Sequence, residues 1–487
     1  MPVPGDSPEA APSRACYNCR RRRLRCDRSR PTCRKCWSAG VDCLGYGTVL
    51  RWANAPAVRG RLVGQLSVTS PKRQPTSTEF DTNSYSVRPS LLDPLLNGLD
   101  RRERHYVHHF AVTVCRDLVS FDQHDRNPFR LIVPLAAKFN YLQAIIVATG
   151  AMHLASALFG RRGQEARLEL VDALVAKDKA IRLLRSAIDS VTPADQAMVL
   201  AATVFLINID LIDSGKGGWQ AHIEAASTLM MSLSDPVHGP DQSLMPLLDA
   251  IAADCLTYRV LGSAISGVCL TSWDDDLADL LPVLRRAEPY SYHCCPPEIL
   301  QILLSASSLC GDEPADATKI ERALSLLHQA RSLDIANWVH GIRGLSAQDD
   351  LATRVSIALA HQATACLYIL LAVPEAAPSP LAVDMLVQEV LGHLDAVPVD
   401  HVHLKGTIWP TFMVGAQTDD PAQRAWCIGR MQAVWARNPW SCPWGYVRTA
   451  VQTMQDLWEA RDREPPGAGR RNWLLELKRV RDKCLIV

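Results

Sequence analysis

From about Leu91 to the end of the chain, apolar residues recur at the three- and four-residue steps of an α-helix, and period-two alternation over four or more residues is hard to find. Leu170, Leu174, Ile181, Leu184 and Ile188 follow such steps, which predicts a helix with one apolar packing face. Start and stop signals punctuate the pattern. Thr192-Pro193 can cap and open a new helix, Asp420-Pro421 repeats that signal before Arg424–Val434, and Asn438-Pro439 ends it. Near the end, Trp473, Leu474, Leu477, Val480 and Leu485 alternate with Arg471, Lys478, Arg479, Arg481 and Lys483, which predicts an amphipathic basic helix from Arg470 to Leu485, docked on the rest. The most apolar stretch, Val355–Val373, carries His361, Gln362 and Thr364 near its middle, so it reads as a buried helix and adds no membrane span. The expected fold class is all-α, with a body over residues 91–487 long enough for a large core or two subdomains.

The first ninety residues break the pattern. Residues 1–13 are expected to be disordered, and residues 47–90 form a linker, first basic at Arg51, Arg59 and Arg61, then rich in Ser, Thr, Pro and Asn. No a/d heptad runs through residues 44–66, so no coiled coil is expected there. Between them, residues 14–46 hold Cys16, Cys19, Cys26, Cys33, Cys36 and Cys43, spaced C-x2-C-x6-C-x6-C-x2-C-x6-C. The unit C-x2-C-x6-C occurs twice, which predicts an approximate two-fold repeat that gathers six thiolates. Zinc prefers four thiolates, at about 2.3 Å, and two separate four-sulfur sites would need eight. Six sulfurs therefore imply two zinc ions with two sulfurs shared. Disulfides or an iron–sulfur cluster are the lesser expectation; disulfides need an oxidising compartment, and Met1–Asp6 shows no export pattern.

Charge then says what this small module binds. Residues 14–43 carry ten Arg or Lys against Asp27 and Asp42, while the remaining chain has 42 cations against 49 acids. The net charge of +1 conceals a basic head on an acidic body, and a basic head is the electrostatic footprint of a phosphate-backbone partner.

The stretch from Ala15 to Asp27, with Arg30-Pro31-Thr32-Cys33-Arg34-Lys35-Cys36, resembles the fungal zinc binuclear cluster transcription factors almost residue for residue. The resemblance implies that Cys16 and Cys33 bridge the two zinc ions, that Cys19 and Cys26 complete one and Cys36 and Cys43 the other, and that Pro31 turns the chain between the halves. Arg20 to Arg25 would lie on a short helix entering the major groove of double-stranded DNA. By the same likeness Arg23 is the principal base reader, with Arg22 either beside it or on the backbone. Arg20 and Arg25 are placed for phosphates, which position without specifying. The body is similar, mainly in hydrophobic pattern, to the helical regulatory domain found behind such clusters. The likeness rests on His108-His109-Phe110, Asn127-Pro128-Phe129, Ile132–Ala136, Leu142–Leu158 and Trp219–His222. It implies a homo- or heterodimer through the helical domain and a small-molecule effector or co-regulator as partners.

The expectation is a nuclear, zinc-dependent regulator of RNA polymerase II transcription that reads a short G·C-rich, CGG-like triplet. The alternative is a DNA-associated scaffold with little sequence preference. An enzyme is not expected, since none of the nucleophile-elbow, zinc-protease, phosphate-loop or dinucleotide-binding patterns occurs. Four features read as ordinary structure: the His105/His109 pair, His293-Cys294-Cys295, the acidic run Trp273–Leu281, and seven tryptophans between Trp409 and Trp473, which read as core before an effector pocket.

Overall fold

In this computed structural model the described residues are 15–29, 32–39, 41, 43 and most of 98–487, with gaps at 124, 159–162, 189–191, 193–194, 233–241, 267–276, 312–313, 380, 436–441, 466–471 and 481–482. The expectations for residues 1–13, for the linker and for Trp273–Asp276 fall outside them. The chain divides into two compact units, Met1–Pro89 and Ser90–Val487.

The first unit holds two short helices, α1 (Tyr17–Arg21) and α2 (Arg34–Ser38). Among the described residues the second is mainly helical, and its β-structure there is one isolated bridge, Val119 to Ser291. Its first helix, α3 (Arg101–His109), opens on a capping box in which Asp100 accepts from the Arg102 and Glu103 amides and Glu103 reaches back to the Asp100 amide. A π-helical turn, Phe110–Val114, follows directly. The core is built on α4 (Asn140–Leu158), α5 (Gly163–Ile188), α6 (Gln196–Asp213), α7 (Met245–Ser266) and α8 (Leu351–Ala372). Three of these, α4, α6 and α8, are long and apolar enough to cross a membrane, yet 78%, 89% and 83% of their most apolar stretches are buried within the body. Helices apolar on every side are helices surrounded by others. Close approach is enforced at Gly150, where a Cβ would collide with the Tyr106 carbonyl.

Polar pins fix the packing. Tyr258 donates to Asn208 at 2.8 Å, joining α7 to α6, and Tyr368 on α8 donates to the Ala264 carbonyl at 2.9 Å. Asp420 caps the helix Pro421–Trp435 by accepting from Ala422 and Gln423, as its sequence signal predicts. The tryptophans at 409, 444, 458 and 473 are buried in the core.

Two expectations are corrected. On α5 the buried face is Ala173, Ala176, Ala180 and Leu184, whereas Leu170, Leu174 and Ile188 point outward. Small alanines let α5 lie close on α4, so the larger side chains were displaced from the contact. The basic C-terminal helix is short, α9 (Trp473–Arg479), and ends before Val480. The last residues dock on the body: Leu485 donates to the Gly215 carbonyl at 2.7 Å, and Leu485, Ile486 and Val487 are buried.

Candidate metal centre and nucleic-acid interface

Both halves of the head are built alike, seventeen residues apart. Cys16 and Cys33, in extended backbone, cap α1 and α2 through sulfurs that accept from the Cys19 and Cys36 amides, each at 3.4 Å. The Leu24 amide then bonds the Cys19 carbonyl at 2.9 Å and the Val41 amide bonds the Cys36 carbonyl at 3.1 Å, closing both helices in the same way. A continued helix would carry Cys26 about 10 Å along the axis from Cys19, too far to share an ion, so the return of the third cysteine requires this break.

That requirement corrects the arginine helix. It ends at Arg21; Arg22 is its cap and Arg23 adopts a left-handed conformation, φ 54°. The Arg23 amide bonds the Arg20 carbonyl at 3.2 Å, completing a Schellman closure with arginine where glycine is usual. In the second half the matching sequence position is Gly40. Arg20, Arg22, Arg23 and Arg25 are all exposed. So is Trp37, 79% accessible, which occupies in the second half the place Arg20 has in the first and which sequence reasoning overlooked.

The six sulfurs converge. Cys16, Cys19, Cys26 and Cys33 form one group of four and Cys16, Cys33, Cys36 and Cys43 a second, the ligand atoms of each lying within 4.8 Å of one another. Cys16 and Cys33 belong to both. Their sulfurs are 3.6 Å apart, and the Cys16–Cys36 and Cys19–Cys33 pairs stand at 3.7 Å. Sulfurs at the corners of a tetrahedron around zinc are separated by about 3.8 Å, so the donor set fits two zinc ions sharing two sulfurs. Burial pushes the Cys16, Cys19 and Cys33 thiols up, Cys33 to about 12. Burial acts the same way on Cys26, but backbone N–H groups of Cys16 and Arg28 hold it below the ordinary thiol value. A cation entering this cluster therefore displaces protons. Asp27 ties the halves together, accepting from Ser29 and, at 3.1 Å, from the Arg34 amide at the start of α2; these bonds hold its carboxyl at about 2.

In the body, His109 meets His153 instead of His105, at 2.9 Å, and His153 reaches Asp117 at 3.0 Å. His293, Cys294 and Cys295 are buried, and Arg354 approaches the Cys294 sulfur at 3.5 Å. A cavity of about 310 Å³ lies between Leu457, Leu477, Val480 and Ile486, with no described tryptophan in its wall.

Residues 14–53 match the model of the fungal Zn(2)-Cys(6) binuclear cluster domain, and residues 105–484 that of the fungal specific transcription factor domain. The chain belongs to the fungal zinc binuclear cluster transcription factors. It is 44% identical over 582 aligned positions, covering 98% of both chains, to the acriflavine sensitivity control protein acr-2 of Neurospora crassa. Over 95 residues, 20% of this chain and 15% of the other, it is 40% identical to the tropolone cluster transcription factor tropK of Talaromyces stipitatus. No solved structure matches. As a member of this family the chain is a zinc-binding, DNA-binding transcription regulator and not an enzyme.

Proposed function

We propose that the chain acts in the nucleus as a sequence-specific regulator that reads a CGG-like triplet through a head folded around two zinc ions. Cys16 and Cys33 bridge the ions, Cys19 and Cys26 complete one site, and Cys36 and Cys43 complete the other. The observation that carries this reading is Arg23, an exposed cation in a left-handed turn locked between two ligands, Cys19 and Cys26. A guanidinium fixed there can fork onto O6 and N7 of a guanine, while Arg20 and Arg25 hold the phosphates on either side and Arg22 supports the reader. The helical body sets the partner and the response. Because a relative matched over 98% of its own length is named for acriflavine sensitivity, the regulated genes are proposed to govern tolerance of toxic small molecules. The deciding experiment is competition between a CGG-containing duplex and a scrambled one at fixed salt. Retention on the CGG duplex supports the reading, and equal loss to both makes the protein a scaffold without sequence preference.

A further inference from the structure

Residues 483–487 form no helix or strand, yet the body holds their backbone at every second residue. The Trp219 indole donates to the Lys483 carbonyl at 3.1 Å, the Leu485 amide donates to the Gly215 carbonyl at 2.7 Å, and the Tyr446 hydroxyl donates to the Val487 oxygen at 2.9 Å. Main-chain bonds at alternate positions, with pockets for the side chains, are how grooves recognise peptides. Glycine clears the space. A Cβ at Gly215, where φ is +71°, would meet the Leu485 carbonyl at 2.7 Å and the Cys484 sulfur at 2.9 Å. One at Gly262 on α7 would meet the Trp219 ring at 2.8 Å and Leu485 Cδ1 at 3.1 Å.

We propose that residues 483–487 are a strap, a peptide bound in cis to a groove that stands without it, and that this strap opens and closes as a unit apart from the core. The walls of the groove are tied to one another independently of the tail. The Gly215 amide donates to the Asp210 carbonyl at 2.7 Å, and the Thr449 hydroxyl donates to the Ser214 carbonyl at 2.6 Å. Gly445, at the start of the helix Gly445–Asp462, lies so close on the Asp213 carbonyl that no Cβ would fit. The strap carries a cost that unseating returns: the half-buried Lys483 ammonium has the Ser266 and Lys478 carbonyls as partners, and burial holds its pKa below the ordinary lysine value. The short run from the end of α9 keeps the tail at an effective concentration on the order of millimolar, so the seat is filled in the intact chain. Lys483, Cys484 and Ile486 also wall the cavity beside Leu457, Leu477 and Val480, and release of the strap opens that cavity to solvent.

Native-state hydrogen exchange tests the intact chain. The Leu485 amide is expected to exchange about a hundredfold or more faster than the Tyr258 amide of α7, by a local opening that low denaturant leaves unchanged. Exchange of Leu485 only together with the core would overturn the proposal. Gly215→Ala is expected to unseat the strap, bringing Leu485 close to the rate of a free peptide while the core amides keep theirs. A chain ending at residue 482 is expected to keep its helical spectrum and to bind a synthetic peptide of residues 481–487 at one site. The same peptide with Leu485→Asp is expected to bind about tenfold more weakly or worse, and the intact chain, its seat filled, to bind neither. A shortened chain that unfolds would make these residues part of the permanent core, and one that takes both peptides alike would make the groove a nonspecific apolar patch; either result overturns the strap.

Discussion

The sulfurs of Cys16 and Cys33, 3.6 Å apart, are the one pair common to both four-sulfur groups of the head. Removing Cys33 should therefore empty both sites, and Cys33→Ala is expected to lower zinc content from about two ions per chain to near zero. The body has its own core, so its circular dichroism should persist. One ion retained by Cys33→Ala would refute the shared-sulfur arrangement.

Arg23 combines a backbone role with a chemical one, and glycine separates them. Arg23→Gly removes the cost of a left-handed side-chain residue and should stabilise the zinc-loaded head by up to about 1 kcal/mol. It should nonetheless bind the CGG duplex worse by about 1–3 kcal/mol, as should Arg23→Ala, with far smaller losses on scrambled DNA. Arg25→Ala is expected to weaken both duplexes alike and to lower the salt slope by about one. Titrations at several salt concentrations distinguish the patterns.

Asp349 accepts from Arg354 at 2.8 and 3.0 Å and from His403 at 2.7 Å, all three side chains being buried. Asp349→Ala leaves a buried guanidinium unpaired and should cost about 3–5 kcal/mol, read as a fall in the urea midpoint.

Acid should weaken the body in two stages. Burial holds His109 at about 3 and His361 at about 4, so both stay neutral in the fold while the unfolded chain takes up protons; stability is full above pH 6.5 and declines as pH falls below it. Burial would raise the Asp349 carboxyl, but hydrogen bonds from His403 and Arg354 prevail and hold it at about 2, so its contribution is present above pH 3.8 and lost as pH falls toward 2. Urea midpoints measured from pH 7 to pH 3 should show the first decline, and His361→Gln should make it shallower. A flat profile between pH 6.5 and 4 would contradict the neutral histidines.

The cysteine cluster was legible because every ligand lies in one short segment and spacing alone restricts geometry. The left-handed turn at Arg23 was not, since arginine carries no signal for positive φ; only Gly40, at the matching place in the repeat, pointed to it. On α5 the leucine periodicity indicated a helix but not which side it buries, because an apolar stripe facing a partner and one facing the core look alike in sequence. Asp349 and His403 meet across 54 positions of chain, and no local pattern encodes such a meeting.

The π-helical turn after α3 decides which side chains share a face of the helix. Eight residues of regular helix would set His109 and Asp117 about 80° apart around the axis, whereas the wider turn absorbs one residue and brings them nearly into line, where His153 bridges both. Deleting the exposed Val112 would give a more regular helix and swing Asp117 away from its histidine, so here the irregular form is the one that makes the contact.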